Sequence, residues 1–344
     1  MSEAIRGCRV PATLQTRAMP LELPVDEHGF LLARDARALG REASFYDAIR
    51  SGELERVRRG VYARRTRPSP DEPPAERDAR RYLALVRASA HALERPVYTS
   101  YSAAALMGLP IVGSWPESVY VMSRDRQGRR RRGVIAVART HEPGVVRVGE
   151  LVATSVEFTL VQLCRHAPLG AALVATDAAL LVRRGPEAPP PRTTPARLAA
   201  EHDRLKPYPG SRRTDAVLRR AVTSAETPLE TASRLVIEEL GFAAPILQHE
   251  LWLPELGRRA HLDFHWPSVG VAGEADGHGK YRGDRGEASI DAIIDEKDRE
   301  DAIRAQVRGF ARWDWADMWR REPLRARLVR AGVPIERRRT HLLL

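Results

Sequence analysis

Cysteine and lysine are scarce in this 344-residue chain. Its two cysteines, Cys8 and Cys164, cannot build a disulfide scaffold or a cysteine-ligated zinc site, and a reducing compartment fits them best. No uninterrupted apolar run reaches the roughly eighteen residues of a membrane span. The opening MSEAIRGCRVPATLQTRAMPLELP mixes charge with proline and lacks the apolar core of a signal peptide. Together these absences predict a cytoplasmic protein with no membrane partner. There is no GxxxxGK[ST] phosphate loop, no GxSxG elbow and no HExxH pair, so no nucleotide cofactor is expected.

What is abundant is arginine. All but three of the 56 basic residues are arginine, the exceptions being Lys206, Lys280 and Lys297. With 45 acidic residues the net charge is +11, and such a surface attracts polyanions, nucleic acid first. A GC-rich coding sequence alone can produce part of that skew. The length and a hydrophobic content of 43% allow two or three domains. Proline-rich, charged stretches at Arg64–Asp78 and Arg183–Arg197 suggest the breaks. They divide the chain into residues 24–66, a middle part at 79–182, a linker at 183–210 and a last part at 211–330.

In the first part, LLARDARAL has helical spacing, Gly40 stops it, and Ser44 is the expected N-cap of a second helix, FYDAIRSG. ELERVRRGVYARR then reads as a hairpin broken at Gly60. That order is a winged helix-turn-helix, whose second helix would offer Ser44, Tyr46, Asp47 and Arg50 to a major groove. Arg56, Arg58 and Arg59 on the wing would meet phosphates, unless they only solvate a small helical cap. In the middle part, SVYVMSRD and GVIAVARTH alternate like two strands of a hairpin. Arg129, Arg130, Arg131 and Arg132 would then lie at its tip, placed either for a phosphate backbone or for solubility. VEFTLVQLCRHAPLGAALVATDAALLV reads as two packed helices with Cys164 and His166 in or near the core.

The last part carries the chemistry. TPLETASRLVIEELG is a helix with Thr227 as N-cap, Glu230 as its capping-box partner and Gly241 as its stop. ILQHELWL, RAHLDFHW and VGVAGEAD follow as strands, with Leu262, Phe264 and Trp266 expected on one face and His261, Asp263 and His265 on the other. If Pro267–Gly270 is a four-residue hairpin loop, Asp263 falls opposite Glu274. Two opposed carboxylates need a partner, and Mg²⁺ or Mn²⁺ is the economical one. A helix, a strand bearing Asp and a strand bearing Glu form the arrangement of the PD-(D/E)xK nucleases. Glu230 is equally a cap, Asp276 equally the start of an Asp-Gly turn, and His278 and Lys280 equally solvated loop residues.

Two resemblances accompany these residues. GFLLARDARALG…IRSGELERVRRGVYA, YTSYSAAALMGLP and the helical pair beyond resemble AbiEi-type antitoxins. That implies a DNA-binding autoregulator with a cognate toxin as partner. TPLE…HLDFHWP…GVAGEADGHGKY…FARWDWADMW resembles very-short-patch-repair-like endonuclease domains. It implies a restriction-endonuclease-like fold with Glu230, Asp263, Glu274 and Asp276 as acidic site residues, His278 or Lys280 as the basic element, and Asp263 and Glu274 as metal ligands. One departure is that Asp276 stands where the nuclease pattern has lysine. The expectation is therefore an α+β multidomain DNA-binding protein with a metal-dependent endonuclease domain, or else a non-enzymatic antitoxin-type regulator on a degenerate nuclease fold.

Overall fold

A computed structural model describes residues 23–67, 69–70, 72–277 and 290–342 and divides into two compact units, Met1–Arg67 and Pro68–Leu344. In the first, β1 (Phe30–Leu32) runs into α1 (Ala33–Ala38) and α2 (Glu42–Arg50), and β2 (Leu54–Arg58) and β3 (Val61–Arg64) form a hairpin. β3 lies between β1 and β2, antiparallel to both. Gly40 ends α1 at φ +64, and Gly60 turns the hairpin at φ +78, a region open at little cost only to glycine. Leu31, Ala36, Phe45, Ala48 and Leu54 form the small core, with the Phe45 ring edge-on to Tyr62.

Two expectations fail in this unit. Leu31 and Leu32 are strand rather than helix, because pairing with Tyr62 and Val61 buries both. Ser44 is not an N-cap. The Arg41 N–H closes onto the Ala36 carbonyl, so the chain is already turned and α2 starts at Glu42 without a side-chain cap.

The second unit opens with α3 (Pro74–Ser89), whose Pro74 sits in the first turn where a missing N–H costs nothing. β4 (Val97–Tyr98), α4 (Ser100–Leu106), β5 (Val119–Met122), β6 (Arg129–Arg131), β7 (Val134–Val137), β8 (Val145–Val148) and β9 (Leu151–Thr154) follow. Their sheet runs β6-β7-β5-β4-β9-β8, covered by α5 (Val156–His166), α6 (Leu169–Leu180), α7 (Pro195–Leu205) and α8 (Ser211–Leu218). The expected hairpin of β5 with β7 is absent: the two pair in parallel. The arginine run is instead an edge strand antiparallel to β7, turning at Gly133. Arg129 to Arg132 stay exposed, as side chains on an outermost strand can.

Nor is 183–210 only a linker. Thr194 caps α7, and Leu198 and Leu205 bury in the same core as α5. The proline-rich run is a loop leading into that helix.

The remaining elements are α9 (Pro228–Glu239), β10 (Ile246–Leu253), β11 (Arg258–Trp266), β12 (Val271–Ala275), α10 (Ile290–Gln306), β13 (Gly309–Trp313), α11 (Trp315–Arg320) and α12 (Glu322–Ala331). Their sheet runs β10-β11-β12-β13; the first three are antiparallel and β13 is parallel to β12, with α10 in the crossover. Leu229, Ala232 and Val236 of α9 share a core with Val271, Ala275 and Trp313, whereas Ala272 packs with Ala302 and Ile303 of α10. This part is not a separate domain. Asp177 of α6, almost fully buried, accepts hydrogen bonds from Thr231 (2.9 Å), Arg234 (2.8 Å) and the Val222 N–H (2.9 Å), tying α9 to the middle helices. Among the described residues no helix is long and apolar enough to cross a membrane.

Gly273 is a tight point in the sheet. A Cβ there would stand 2.7 Å from the Trp313 ring and 3.2 Å from Phe264. Gly273→Ala must therefore move a buried indole, and urea unfolding should show a loss of about 1–3 kcal/mol. An unchanged midpoint would mean that Trp313 is loosely held.

Candidate functional site

Trp266 faces Val271 across the expected four-residue loop, then His265 faces Ala272 and Phe264 faces Gly273. The β11–β12 ladder ends at that pair, and Asp263 and Glu274 are the next residue on each strand. Both are buried, at 7% and 2% exposure, and Glu230 at 2% approaches from α9. The β10–β11 ladder pairs His249 with Leu262 and Leu247 with Phe264 but omits Gln248 and Asp263 between them. At that point Gln248 adopts φ +52, outside the extended region. The pleat is interrupted, so Leu262 does not share one core with Phe264 and Trp266 as alternation predicted; it packs towards α10 while they pack with α9.

The gap is filled by polar contacts. Asp263 Oδ2 accepts the Ala275 N–H (2.9 Å), and the Gln248 amide donates to Asp263 Oδ1 (3.2 Å) and Glu230 Oε2 (3.0 Å). Glu230 also accepts from the Glu226 N–H (3.0 Å) and the Thr227 hydroxyl (2.9 Å), while Thr227 accepts from the Glu230 N–H. Glu230 is thus a cap and a neighbour of Asp263 together. Burial, with the Asp263 charge adding to it, pushes its carboxyl up to about 7 against the pull of those hydrogen bonds.

Glu274 points to α10, where Arg299 reaches it at 3.3 Å and also donates to the His261 carbonyl (3.1 Å). Beside it Arg312 pairs with Glu300 at 2.7 Å and Glu296 at 3.3 Å. Burial opposes the Arg312 charge, but Glu300, Asp276, Glu274 and Glu296 hold its pKa above the ordinary value. Asp276 is half-buried, and its N–H continues the ladder to the Trp313 carbonyl (2.8 Å). His278 and Lys280 lie outside the described residues. Among those described, the cations beside the acidic pair are Arg299 and Arg312. Sequence reasoning missed both, along with Gln248, because nothing in EKDRE or ILQHE marks a residue that meets a carboxylate from another element.

Asp263 and Glu274 offer hard oxygen donors of the kind Mg²⁺ takes through one or two carboxylates with water completing the shell. Among the described residues no group of three or more His, Cys, Asp or Glu is arranged to hold a metal ion. In the N-terminal unit, Phe45 and Ala48 turn inward, and Ser44, Tyr46, Asp47 and Arg50 of α2 are exposed, with Arg50 paired to Asp47. Arg56 and Arg59 of the hairpin are exposed and Arg58 half-buried.

Residues 21–65 match the family of the AbiEi antitoxin transcriptional regulators. The match ends before the second unit begins. No curated protein matches the chain. Among solved structures, the crystal structure of the RV2827C protein from Mycobacterium tuberculosis aligns with 69% of this chain and 86% of that one, at 16% identity and a TM-score of 0.34, too low to carry an argument.

The raised Glu230 carboxyl has a stability consequence. The folded state keeps its proton to about pH 7 whereas a free glutamate loses it near 4.5, so this group's contribution falls as pH rises through that window. His166 runs oppositely: burial, Arg165 and Arg213 lower it to about 4, and its contribution is lost as pH falls below about 6.5. The difference between parent and Glu230→Gln isolates the first effect. In denaturant titrations the variant should gain on the parent between about pH 5 and pH 8, by at most about 3 kcal/mol. A difference independent of pH would show that Glu230 is not held against its charge.

Proposed function

We propose that this protein is a DNA-binding regulator of antitoxin type whose last part is a restriction-endonuclease-like fold with a divalent-cation site for phosphodiester hydrolysis. The DNA-binding half is supported by the helix–glycine turn–helix–hairpin order of the N-terminal unit and its match to a regulator family. In this reading the unit is a winged helix-turn-helix, with Ser44, Tyr46 and Arg50 entering a groove and Arg56, Arg58 and Arg59 meeting phosphates. Arg50 must exchange its Asp47 partner for DNA. Arg129 to Arg132 on the β6 edge form a second cationic strip with the same chemistry. The family name adds a cognate toxin as a protein partner.

The hydrolytic half is supported by one observation: buried Glu230 and Asp263 share the Gln248 amide where the β10–β11 ladder is interrupted, with buried Glu274 on the neighbouring strand. The order α9, β10, β11, β12, α10, β13 matches the helix-strand arrangement expected of a PD-(D/E)xK core. Asp263 and Glu274 would hold Mg²⁺ or Mn²⁺, which when bound supplies an activated water and stabilises charge on the scissile phosphate. The Ala275 N–H and the Gln248 amide hold Asp263 in place, and Arg299 steadies Glu274. Asp276 and, outside the described residues, His278 and Lys280 complete the proposed set.

The non-enzymatic reading has support of its own, since Arg299 already partners Glu274 and Glu230 already accepts three hydrogen bonds. Supercoiled plasmid separates the two. The hydrolytic reading expects nicking by the full chain with millimolar Mn²⁺ and its loss in Asp263→Asn; nicking that survives the substitution removes Asp263 from the site, and none in the parent leaves a regulator.

DNA binding has a separate test. Duplex retardation should weaken steeply with salt, at a log–log slope of about −0.9 per neutralised phosphate, and replacing Arg56, Arg58 and Arg59 together by alanine should flatten it. An unchanged slope removes the hairpin from the interface.

A further inference from the structure

We propose that a cleft formed by the end of α8, α9 and the C-terminal segment binds a phosphomonoester dianion carried on a small apolar body. The cleft has a volume of about 470 Å³, within the range of small-ligand pockets. Four arginines line it, Arg219, Arg220, Arg234 and Arg337, against one acid, Glu238.

Its walls are held by backbone hydrogen bonds. Arg219 closes α8 with its N–H on the Asp215 carbonyl (3.0 Å), and the turn beyond is pinned where the Val222 N–H meets Asp177 Oδ1 (2.9 Å) and the Val182 N–H meets the Thr223 carbonyl (2.9 Å). Arg234, Ile237 and Glu238 lie one turn apart, so a single face of α9 supplies the second wall. The C-terminal segment is zipped to the end of that helix: the Ala243 N–H donates to the Pro334 carbonyl (2.9 Å), and the Gly241 carbonyl accepts from the Glu336 (2.9 Å) and Arg337 (3.1 Å) N–H groups. Gly241 has φ +84, and a Cβ there would collide with the Arg337 carbonyl oxygen, so only glycine lets the segment carrying Arg337 lie so close.

Two of the four guanidiniums are engaged within the protein. Arg220 grips Glu238 through two nitrogens at 2.8 and 2.6 Å. Arg234 gives Nη2 to Asp177 at 2.8 Å, while its buried Nε–H has no acceptor among the described residues. Arg219 and Arg337 are exposed, and their guanidiniums make no ion pair or hydrogen bond among the described residues. Two uncompensated charges and an idle buried donor match a phosphomonoester, which carries about −1.5 to −2 charges at neutral pH and three strong acceptor oxygens. A carboxylate brings one charge and two oxygens. Planar guanidinium forks suit phosphate geometry. The remaining lining includes Ala221, Pro245 and Leu247, and the volume exceeds what a phosphate group alone occupies, so the phosphate carries an organic body. A free small molecule and the 5′-phosphate end of a nucleic-acid strand both present that group.

Isothermal titration of the full chain with phenyl phosphate tests this. One saturable site is expected, with a dissociation constant raised about tenfold in Arg219→Gln and again in Arg337→Gln, the size of a lost hydrogen bond to a charged group. Both side chains are exposed, so the melting temperature without ligand should not change. Methyl phenyl phosphate, a monoanion on the same body, should bind more weakly. A parent without saturable binding, two variants that bind as well as the parent, or a diester that binds as well as the monoester overturns the proposal. Short single-stranded oligonucleotides then give the source. Displacement of phenyl phosphate by a 5′-phosphorylated strand but not by its 5′-hydroxyl twin assigns the cleft to strand ends, and displacement by neither assigns it to a free small phosphate. Equal displacement by both means that the cleft takes backbone phosphates, which overturns the monoester assignment.

Discussion

Three carboxylates withdrawn almost wholly from water are the constraint around which the last sheet is arranged. A buried acid is tolerated only where donors replace the lost water, and each of the three draws them from a different source. Glu230 takes the turn before its own helix, Asp263 takes a backbone N–H that the splayed strands leave open, and Glu274 takes a guanidinium from α10. Gln248 reaches two of the three at once. The interruption in β10 frees the Gln248 side chain for those two contacts, and the Ala275 N–H, beyond the last β11–β12 pair, reaches Asp263.

Behind that cluster the packing is tight and shared. Trp313 lies over Gly273 and donates from its indole N–H to Ser233 of α9, so the strand carrying Glu274 and the helix carrying Glu230 are clamped by one side chain. Asp177, buried against Arg234, extends the clamp to α6. The site is thus held by the middle helices as well as by its own sheet, and Arg184 from the loop after α6 reaches its rim. The N-terminal unit has a small core of its own, made by two short helices and a three-stranded sheet, and it places its exposed polar residues on α2 and the hairpin turn.

Much of this was legible in the chain as written. The α9 helix announced itself through Thr227, Pro228, Glu230 and Gly241, all local signals whose physics is complete within one turn. The β11–β12 register followed from period-two alternation and a four-residue loop, since both are short-range. Less legible was β5 with β7, where adjacency in sequence suggested a hairpin and the intervening arginines proved to be a strand. Equally hidden was α7 within a proline-rich stretch, because burial of Leu198 and Leu205 against α5 outweighs the composition of the loop before it.

The sequence by itself determined which elements form where capping, turns and alternation act over a few residues, and it set the β11–β12 register that puts Asp263 and Glu274 on neighbouring strands. Only the tertiary structure decided what those acids touch. Gln248, Arg299, Arg312 and Arg184 come from β10, α10, β13 and a loop after α6, at separations of fifteen residues or more from Asp263. Hydrogen bonds and charges of that kind depend on distances in space that no local pattern encodes, and burial then multiplies their effect.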